Sequence, residues 1–231
     1  ELQRAAQLAY AHRDTPQAID LDTLGRPFRT TDDCGGGNLF TTRTRLDLTG
    51  NPTLVKDALG RDMTWNLFDM TGQVLFTRNI DSGRRWRLYD LAGKPLYAWD
   101  NRSNEFYFEY DLAQRPQHTW LKEQGLANAV LFEQIVYGLG NADYDANLIG
   151  KPKIMHDQAG ETRNQAFDFK GNLVSLEKQL CRVYDHTIDW ATTVALDPET
   201  FADSFEYDAM NRLTRHTKPD ATVERYRFNK G

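Results

Sequence analysis

The sequence predicts an all-β fold made of antiparallel β-hairpins, and three observations support this prediction. A short unit recurs along the chain, in which an apolar or aromatic residue is followed by Asp, two variable residues, Gly and usually a long polar residue. Neighbouring copies lie 10 residues apart from Asp47 to Asp57 and 12 apart from Asp57 to Asp69. The segments between copies, such as residues 63–68, are rich in strand-forming residues. Turn signals at this spacing, separated by short β-favouring runs, are typical of an all-β meander.

The chemistry of a hairpin turn explains why Asp and Gly recur together. Gly adopts positive φ at no steric cost, and an Asp three residues earlier accepts a hydrogen bond from the backbone two residues on. Asn211 replaces Gly in one copy and tolerates the left-handed region well, whereas Gln114 in another copy predicts a different or strained turn. The predicted turn-forming residues are Asp22, Gly25, Asp47, Gly50, Asp57, Gly60, Asp69, Gly72, Asp90, Gly93, Asp111, Asp157, Gly160, Asp168, Gly171, Asp208 and Asn211.

Taken in order, the chain divides into four segments. Residues 1–13 predict a short amphipathic helix that stops before Pro16, and residues 14–120 predict a sheet of hairpin repeats. Residues 121–150 interrupt the rhythm with a strand over 130–137 and a long loop over 138–150. Residues 151–231 continue the repeats and end as another repeat begins, which predicts a piece of a longer polypeptide.

Two further stretches depart from the repeat pattern. Residues 181–204 are polar and mixed, and we expect them to form a second insertion that is partly helical. Three consecutive glycines over residues 35–37 lie between polar residues and predict a flexible loop.

Composition excludes several classes of protein. The 231 residues carry 28 Lys and Arg against 33 Asp and Glu, a net charge of −5, which argues against a phosphate-binding surface. No run approaches the roughly 18 apolar residues of a membrane span, and no signal peptide opens the chain. Cys34 and Cys181 cannot form a disulfide scaffold or a four-cysteine zinc site, and free thiols are favoured over a pair.

The repeated unit resembles the YD repeat of bacterial Rhs-type proteins. More closely, it is similar to the repeat region of the B component of Tc (toxin complex) insecticidal toxins, and the resemblance covers the chain from about residue 14 to its end. The segments that carry it are residues 21–28 (LDTLGRPF), 89–95 (YDLAGKP), 158–160 (QAG) and 167–173 (FDFKGNL).

The resemblance implies a sheet of β-hairpins that curves into part of a hollow shell. In that family the shell encloses an unfolded toxic polypeptide, is closed by a C component, and docks through a propeller onto a membrane-translocating pore. Nothing in this sequence resembles the propeller. The self-cleavage segment of the C component, an Asp-Pro-x-Gly-Leu type sequence, is absent too, because residues 197–200 (DPET) do not match it.

Candidate catalytic and metal-binding patterns have simpler structural explanations. The repeated aspartates are periodic, whereas catalysis needs a unique constellation, so we interpret them as turn residues. Residues 143–147 imitate the opening of a calcium loop, but Leu148 and Ile154 occupy its required Gly and Glu positions. The five histidines have no metal-ligand spacing and are interpreted as solvated or turn residues.

Two sets of side chains stay open to more than one interpretation. The aromatic residues either stack on sugars or bases or, more often, pack on one face of the sheet. They are Trp65, Trp86, Tyr97, Trp99, Phe106, Phe108 and Trp120. The arginines that follow the turns either line a cavity or brace a neighbouring turn carboxylate; they are Arg26, Arg61, Arg115 and Arg212.

The sequence therefore favours a secreted, non-catalytic wall segment of a toxin shell, with no cofactor and no metal. Its expected partners are the remainder of a larger YD-repeat chain, a companion toxin component and an enclosed polypeptide, with no nucleic acid and no membrane segment. Exposed sheet edges also predict self-association. The alternative is a cell-surface YD-repeat module that binds glycans or a partner protein, which an exposed aromatic row would favour.

Overall fold

Short antiparallel strands joined by tight turns make up nearly all of the protein. The computed structural model describes residues 3–5, 10 and 14–229, and these contain 17 β-strands. Residues 3–5 and residue 10 are helical, and the rest of the predicted helix over 1–13 lies outside the described residues. The predicted all-β class, with antiparallel hairpins and a short N-terminal helix, is confirmed.

The chain divides into two compact units, Glu1–Ser103 and Asn104–Gly231. The boundary between the units falls inside the predicted segment 14–120. The predicted segments are divided where the repeat pattern changes, whereas the units are divided where contacts between strands are fewest. In each unit, every strand pairs antiparallel with the next strand of that unit.

The first unit is a meander of eight strands. They are β1 (Gln17–Leu21), β2 (Pro27–Asp33), β3 (Leu39–Leu46), β4 (Pro52–Lys56), β5 (Asp62–Phe68), β6 (Val74–Asn79), β7 (Gly83–Tyr89) and β8 (Pro95–Asp100). The glycines at 35–37 lie in the β2–β3 hairpin turn, where Cys34 N–H donates to the carbonyl of Asn38 at 3.0 Å. All three have positive φ, which fits the tight turn.

The second unit is a meander of nine strands with two longer connections. The strands are β9 (Glu105–Tyr110), β10 (Pro116–Lys122), β11 (Val130–Tyr137), β12 (Pro152–His156), β13 (Gly160–Phe167), β14 (Leu173–Cys181), β15 (Leu196–Tyr207), β16 (Leu213–Thr217) and β17 (Val223–Arg225). A single 3-10 turn, Asn141–Asp143, lies in the connection between β11 and β12.

The expectation of partial helix over residues 181–204 is wrong. The end of this stretch belongs to β15, and its beginning has no helix among the described residues. Pro198 is accommodated within β15 because the pairing with β14 skips from Cys181–Leu196 to Gln179–Thr200. Such an irregularity is where a strand tolerates proline, which has no N–H to donate to the ladder.

Packing differs sharply between the two units. No described residue of the first unit is buried, so both faces of its sheet are at least partly open to solvent. The second unit contains four buried apolar side chains, each 5–6% exposed: Leu121, Leu131, Leu148 and Ile188. Two of them, Leu121 and Leu131, lie on β10 and β11, and the other two, Leu148 and Ile188, come from the longer connections. The connections therefore supply half of the buried apolar side chains of the described chain.

Polar side chains attach the second connection, residues 182–195, to the sheet. Gln158 donates from Nε2 to the carbonyls of Phe132 and Ile188, and it accepts from Ile188 N–H at 2.7 Å. Trp190 donates from Nε1 to the carbonyl of Asp157 at 3.0 Å. The connection is thereby fixed over β11 and the β12–β13 turn. Within the described residues no helix has the length and apolar character that crossing a membrane requires.

Candidate functional site

Eight of the predicted turns share one hydrogen-bond pattern. The Asp N–H donates to the carbonyl four residues on at 2.9–3.1 Å, and the residue three positions on donates back to the Asp carbonyl at 2.8–3.2 Å. The Asp Oδ1 accepts a hydrogen bond from the backbone N–H of the residue four positions on, at 2.8–3.0 Å. The eight aspartates are Asp22, Asp47, Asp57, Asp69, Asp90, Asp111, Asp168 and Asp208. Each carboxylate is thus committed to holding its own turn.

In several turns the side chain of the residue after the Gly position braces the same carboxylate. In the Asp22 turn, Arg26 Nε donates to Asp22 Oδ2 at 2.7 Å, and in the Asp168 turn, Asn172 Nδ2 donates at 2.8 Å. Arg61, Arg115 and Arg212 repeat the arginine geometry. The structure therefore places these four arginines on the carboxylate of their own turn rather than on a neighbouring one.

This bonding lowers the pKa of turn carboxylates such as those of Asp22, Asp47 and Asp168. The hydroxyl of Thr49, followed by the backbone and side chain of Asn51, lowers the pKa of Asp47 to about 2. The pKa of Asp22 is lowered chiefly by the backbone N–H of Arg26, and that of Asp168 chiefly by the side chain of Asn172. Groups that are stabilised as anions in this way are poor general acids at neutral pH.

Within each unit, side chains from one turn also reach the next turn on the same side of the strands. Arg26 Nη1 lies 3.3 Å from the carbonyl of Leu48, and Asn172 Nδ2 donates to Asn211 Oδ1 at 3.1 Å. A Cβ added to Gly93 would collide with Gln73 Nε2 of the preceding turn on that side. We call this row of connected turns the turn ladder. At Gly93, glycine therefore allows close approach to the preceding turn as well as positive φ.

The tips of the turns expose apolar side chains. Each of the eight turns carries, between the Asp and the Gly position, one apolar side chain that is 72–110% exposed. These are Leu24, Leu48, Leu59, Met70, Leu91, Leu112, Phe169 and Met210.

Asp157 and Gly160 form a different turn. Asp157 N–H donates to the carbonyl of Gly160 itself, and Asp157 Oδ1 accepts from Ala159 and Gly160 N–H at 2.7 and 2.9 Å. A Cβ on Gly160 would collide with the carbonyl of Gln179 on β14, so close backbone approach explains this glycine.

Sequence reasoning missed a turn of the same backbone pattern that lacks both signature residues. Lys218 N–H donates to the carbonyl of Thr222, and Ala221 N–H donates to that of Lys218, both at 2.9 Å. Ala221 has φ of 63°, the left-handed value that Gly normally takes. The one local signal was Pro219 followed by Asp220, a turn-favouring pair.

The segment that imitates a calcium loop is closed by a lysine. Asp143 is 6% exposed, and its Oδ1 lies 2.6 Å from Lys153 Nζ. Its Oδ2 accepts the N–H groups of Leu139 and Gly140. The carboxylate therefore holds the connection between β11 and β12. No group of His, Cys, Asp and Glu suited to a metal ion occurs among the described residues.

His118, His156 and His216 lie in strands and bond to residues of neighbouring strands. This differs from the solvated or turn positions that the sequence predicts. A chain of side-chain bonds runs from Glu109 through His118, Gln134 and His156 to Glu161, with separations of 3.0, 3.2, 3.0 and 2.8 Å. It crosses five consecutive strands, β9 to β13, so no sequence spacing could reveal it.

Two further features surround these histidines. His216 Nε2 lies 2.6 Å from Asp203 Oδ1, and the ring of His156 stacks on Trp190 with centroids 4.0 Å apart.

The described cysteines, Cys34 and Cys181, are free. Burial, and secondarily the charge of Asp157, raises the pKa of the Cys181 thiol, the opposite of what activates a cysteine nucleophile.

An aromatic groove crosses strands β5 to β8 of the first unit. Its rings pack in sequence, Trp65 on Phe76 at 5.4 Å, Phe76 on Trp86 at 5.1 Å and Trp86 on Trp99 at 6.1 Å between centroids. The groove has a volume of about 640 Å³, and Arg78 is among its lining residues. Sequence reasoning singled out the three tryptophans and missed Phe76, which cross-strand pairing with Trp86 places between them.

Comparison with models of protein families and with curated proteins finds no match. The fold matches solved structures of Tc toxins. The Photorhabdus luminescens Tc holotoxin pore with a TccC3 mutation gives a TM-score of 0.75 at 21% identity over 98% of this chain. TcdB2-TccC3 gives 0.74 at 22% identity over 96%, and TcdB2-TccC3 without its hypervariable C-terminal region gives 0.74 at 21% over 96%.

The chain spans only 12% of each of these longer chains. At such identities the likeness is one of fold. At that level, the resemblance to the repeat region of Tc toxin B components is confirmed.

Proposed function

We propose that the chain is a non-catalytic wall segment of a larger YD-repeat shell that encloses a toxin polypeptide. The observation that carries this proposal is the single-layer construction of the first unit, in which no described residue is buried. An ordinary sheet buries one face against another layer of the same domain. A sheet that serves as a wall instead needs neighbouring wall segments and separates two compartments.

The mechanism is exclusion. A continuous sheet keeps proteases and folding partners away from the enclosed polypeptide, and continuity with neighbouring repeats satisfies strand edges that would otherwise aggregate. The turn ladder supports this role because it connects successive turns along one end of the strands. The chain acts as part of a secreted Tc- or Rhs-type toxin, and its partners are the rest of a larger YD-repeat chain and a companion component.

The hydrogen bonds, ion pairs and burial of the titratable groups support a non-catalytic role. The turn carboxylate of Asp47 is held as an anion by its own turn, Asp143 is paired with Lys153, and Cys181 has a raised thiol pKa. Repeat proteins also depend on neighbours to cover their ends. We therefore infer that the isolated chain self-associates through exposed strand edges.

The proposal is tested by protease protection of an enclosed passenger. The toxin chain that contains this segment is purified in complex with its companion component, to which a flexible reporter peptide is fused. Protease is added, and survival of the reporter is followed by immunoblot. We expect cleavage at least tenfold slower in the complex than in the companion alone, and equal rates would overturn the proposal.

A matched pair of proline variants ties protection to this wall segment. Thr77→Pro removes a ladder hydrogen bond from β6, which pairs on both sides, and should expose the reporter. Ala58→Pro falls at the second position of the Asp57 turn, where proline is favoured, and should leave protection intact. If Thr77→Pro yields no complex, the comparison of the wild-type complex with the free companion still tests whether the passenger is enclosed.

A further inference from the structure

We propose that the aromatic groove of the first unit binds an extended segment of another polypeptide in which a carboxylate lies beside apolar side chains. The volume of about 640 Å³ and the mainly apolar lining with few polar groups are those of a ligand site. This assignment goes beyond the proposed wall function and holds without it, since it concerns what this one surface recognises.

The exposed rim of the groove is aliphatic. Leu67 and Leu88 are both 47% exposed, whereas the rings of Trp65, Phe76 and Trp86 are half-buried against one another. Leu67 lies directly opposite Phe76 on the neighbouring strand, so the rim and the rings form one continuous apolar surface. Aliphatic and aromatic side chains of a bound peptide would find apolar contacts along it.

Three arginines, Arg78, Arg84 and Arg87, line the groove and supply its charge. Arg78 of β6 and Arg84 of β7 lie directly opposite each other, and both line the groove. Like charges in that position destabilise a strand pair. Arg78 shares Asp62 with Lys56, which is nearer at 2.6 Å against 3.3 Å, and Arg84 has no carboxylate partner among the described residues. A carboxylate supplied by a ligand would relieve this repulsion and accept two charge-assisted hydrogen bonds.

The same geometry disfavours sugars and nucleic-acid bases. Stacking of either is favoured by a flat aromatic platform, but these rings pack edge-on (Trp65 and Phe76), tilted (Phe76 and Trp86) and parallel (Trp86 and Trp99), at 5.1–6.1 Å between centroids, and so form no common flat face. Sugar hydroxyls also need acceptors, and the residues that line the groove include no Asp, Glu, Asn or Gln. The net charge of −5 adds no attraction for phosphates beyond that of the groove arginines.

The test measures binding of two synthetic peptides by the whole chain. One is an acetylated, amidated Leu-Phe-Glu-Leu-Phe peptide and the other has Gln in place of Glu. Binding is followed by tryptophan fluorescence and by calorimetry. We expect the Glu peptide to bind at least about tenfold tighter at low salt, with the preference falling as ionic strength rises.

Arg84→Gln should abolish the preference for Glu, whereas Arg43→Gln, an exposed arginine on β3 outside the groove, should preserve it. Because Arg84→Gln also removes a like-charge pair, its thermal midpoint should be no lower than that of the wild type, which separates lost binding from lost folding. Equal binding of both peptides to the wild type, no binding of either, or an unchanged preference in Arg84→Gln would each overturn the proposal. So would an oligothymidylate that binds in an Arg84-dependent way while the peptides do not.

Discussion

At the scale of single residues, the hydrogen bonds of the turn aspartates explain why each turn needs a carboxylate. One oxygen of Asp47 accepts the N–H groups of Thr49 and Asn51, at 2.9 and 2.8 Å, and the other accepts Asn51 Nδ2 at 3.0 Å. A neutral amide has a single oxygen and cannot serve both sets of donors at once. The negative charge is therefore part of the turn, and it makes the turn sensitive to acid.

The first prediction is that acid removes the contribution of Asp47 to the free energy of unfolding. Its folded pKa, about 2, lies below the unfolded value near 4, so its contribution to stability is complete above pH ~4 and is lost as the pH falls toward 2. We expect Asp47→Asn to lower the free energy of unfolding at pH 7 and to converge with the wild type as the pH approaches 2. Urea unfolding across this range measures the difference. The control Asp145→Asn, at an exposed aspartate outside the motif, should match the wild type throughout.

The second prediction separates the two reasons for glycine in the turns. Gly60 and Gly93 have similar positive φ, 77° and 83°, but a Cβ at Gly60 meets nothing within 4 Å and one at Gly93 meets Gln73. We expect Gly60→Ala to cost about 1 kcal/mol through backbone strain alone, and Gly93→Ala to cost more, as measured by urea unfolding.

Removing the obstructing side chain provides the check on that comparison. In the background of Gln73→Ala, the cost of Gly93→Ala should fall to that of Gly60→Ala. Equal costs of the two glycine substitutions in the wild type would show that close approach in the turn ladder is unimportant.

At the scale of elements, the hairpins of the motif could be predicted because their information is local. Asp, Gly and their spacing lie within five residues, and this turn geometry forms at eight of the nine predicted turns, as at Asp69, whereas Asp157 and Gly160 form another. The histidine chain and the packing of residues 182–195 could not be predicted, because their partners come from other strands. Gln158, for example, bonds to Ile188, which lies 30 residues away.

The third prediction concerns Gln114, which occupies the Gly position of the Asp111 turn. The turn keeps the common hydrogen-bond pattern, and Gln114 adopts φ of 63°, so the strain expected from the sequence takes the form of an unfavourable backbone conformation. We expect Gln114→Gly to be more stable than Gln114→Ala by about 1 kcal/mol. The alanine variant controls for loss of the side chain, and thermal denaturation of the pair measures the effect. Equal midpoints would mean that the turn has relaxed out of the left-handed region.

The fourth prediction concerns the connection over residues 182–195. Ile188 is 5% exposed, and Tyr184 of the same connection is 93% exposed. We expect Ile188→Ala to cost about 2–5 kcal/mol through loss of burial and cavity formation, and Tyr184→Ala to cost less than about 0.5 kcal/mol. Urea unfolding followed by a signal from the second unit measures both. A small effect of Ile188→Ala would show that the connection adds no core to the sheet.

At the scale of the whole molecule, the two units are stabilised differently. The second unit combines its meander with buried apolar side chains, whereas the first has strand pairing, turns and the aromatic groove but no buried described residue. Burial of apolar surface is the dominant favourable term in folding. A unit without buried residues therefore opens locally at lower free energy than one with a core, although both have similar strands and turns.

The fifth prediction follows from this contrast and is measured by hydrogen–deuterium exchange of the isolated chain. Amide protection reports the free energy of local opening, which rises with the density of buried apolar contacts around a segment. We expect peptides from β5 and β6 to exchange at least about tenfold faster than peptides from β13 and β14, where the second connection covers neighbouring strands. Ile188→Ala should raise exchange in the second unit and leave the first unchanged, which controls for a general loss of stability. Equal protection of the two units in the wild type would show that turns and strand pairing alone hold the first sheet, and the need for neighbouring wall segments would then lose its physical basis.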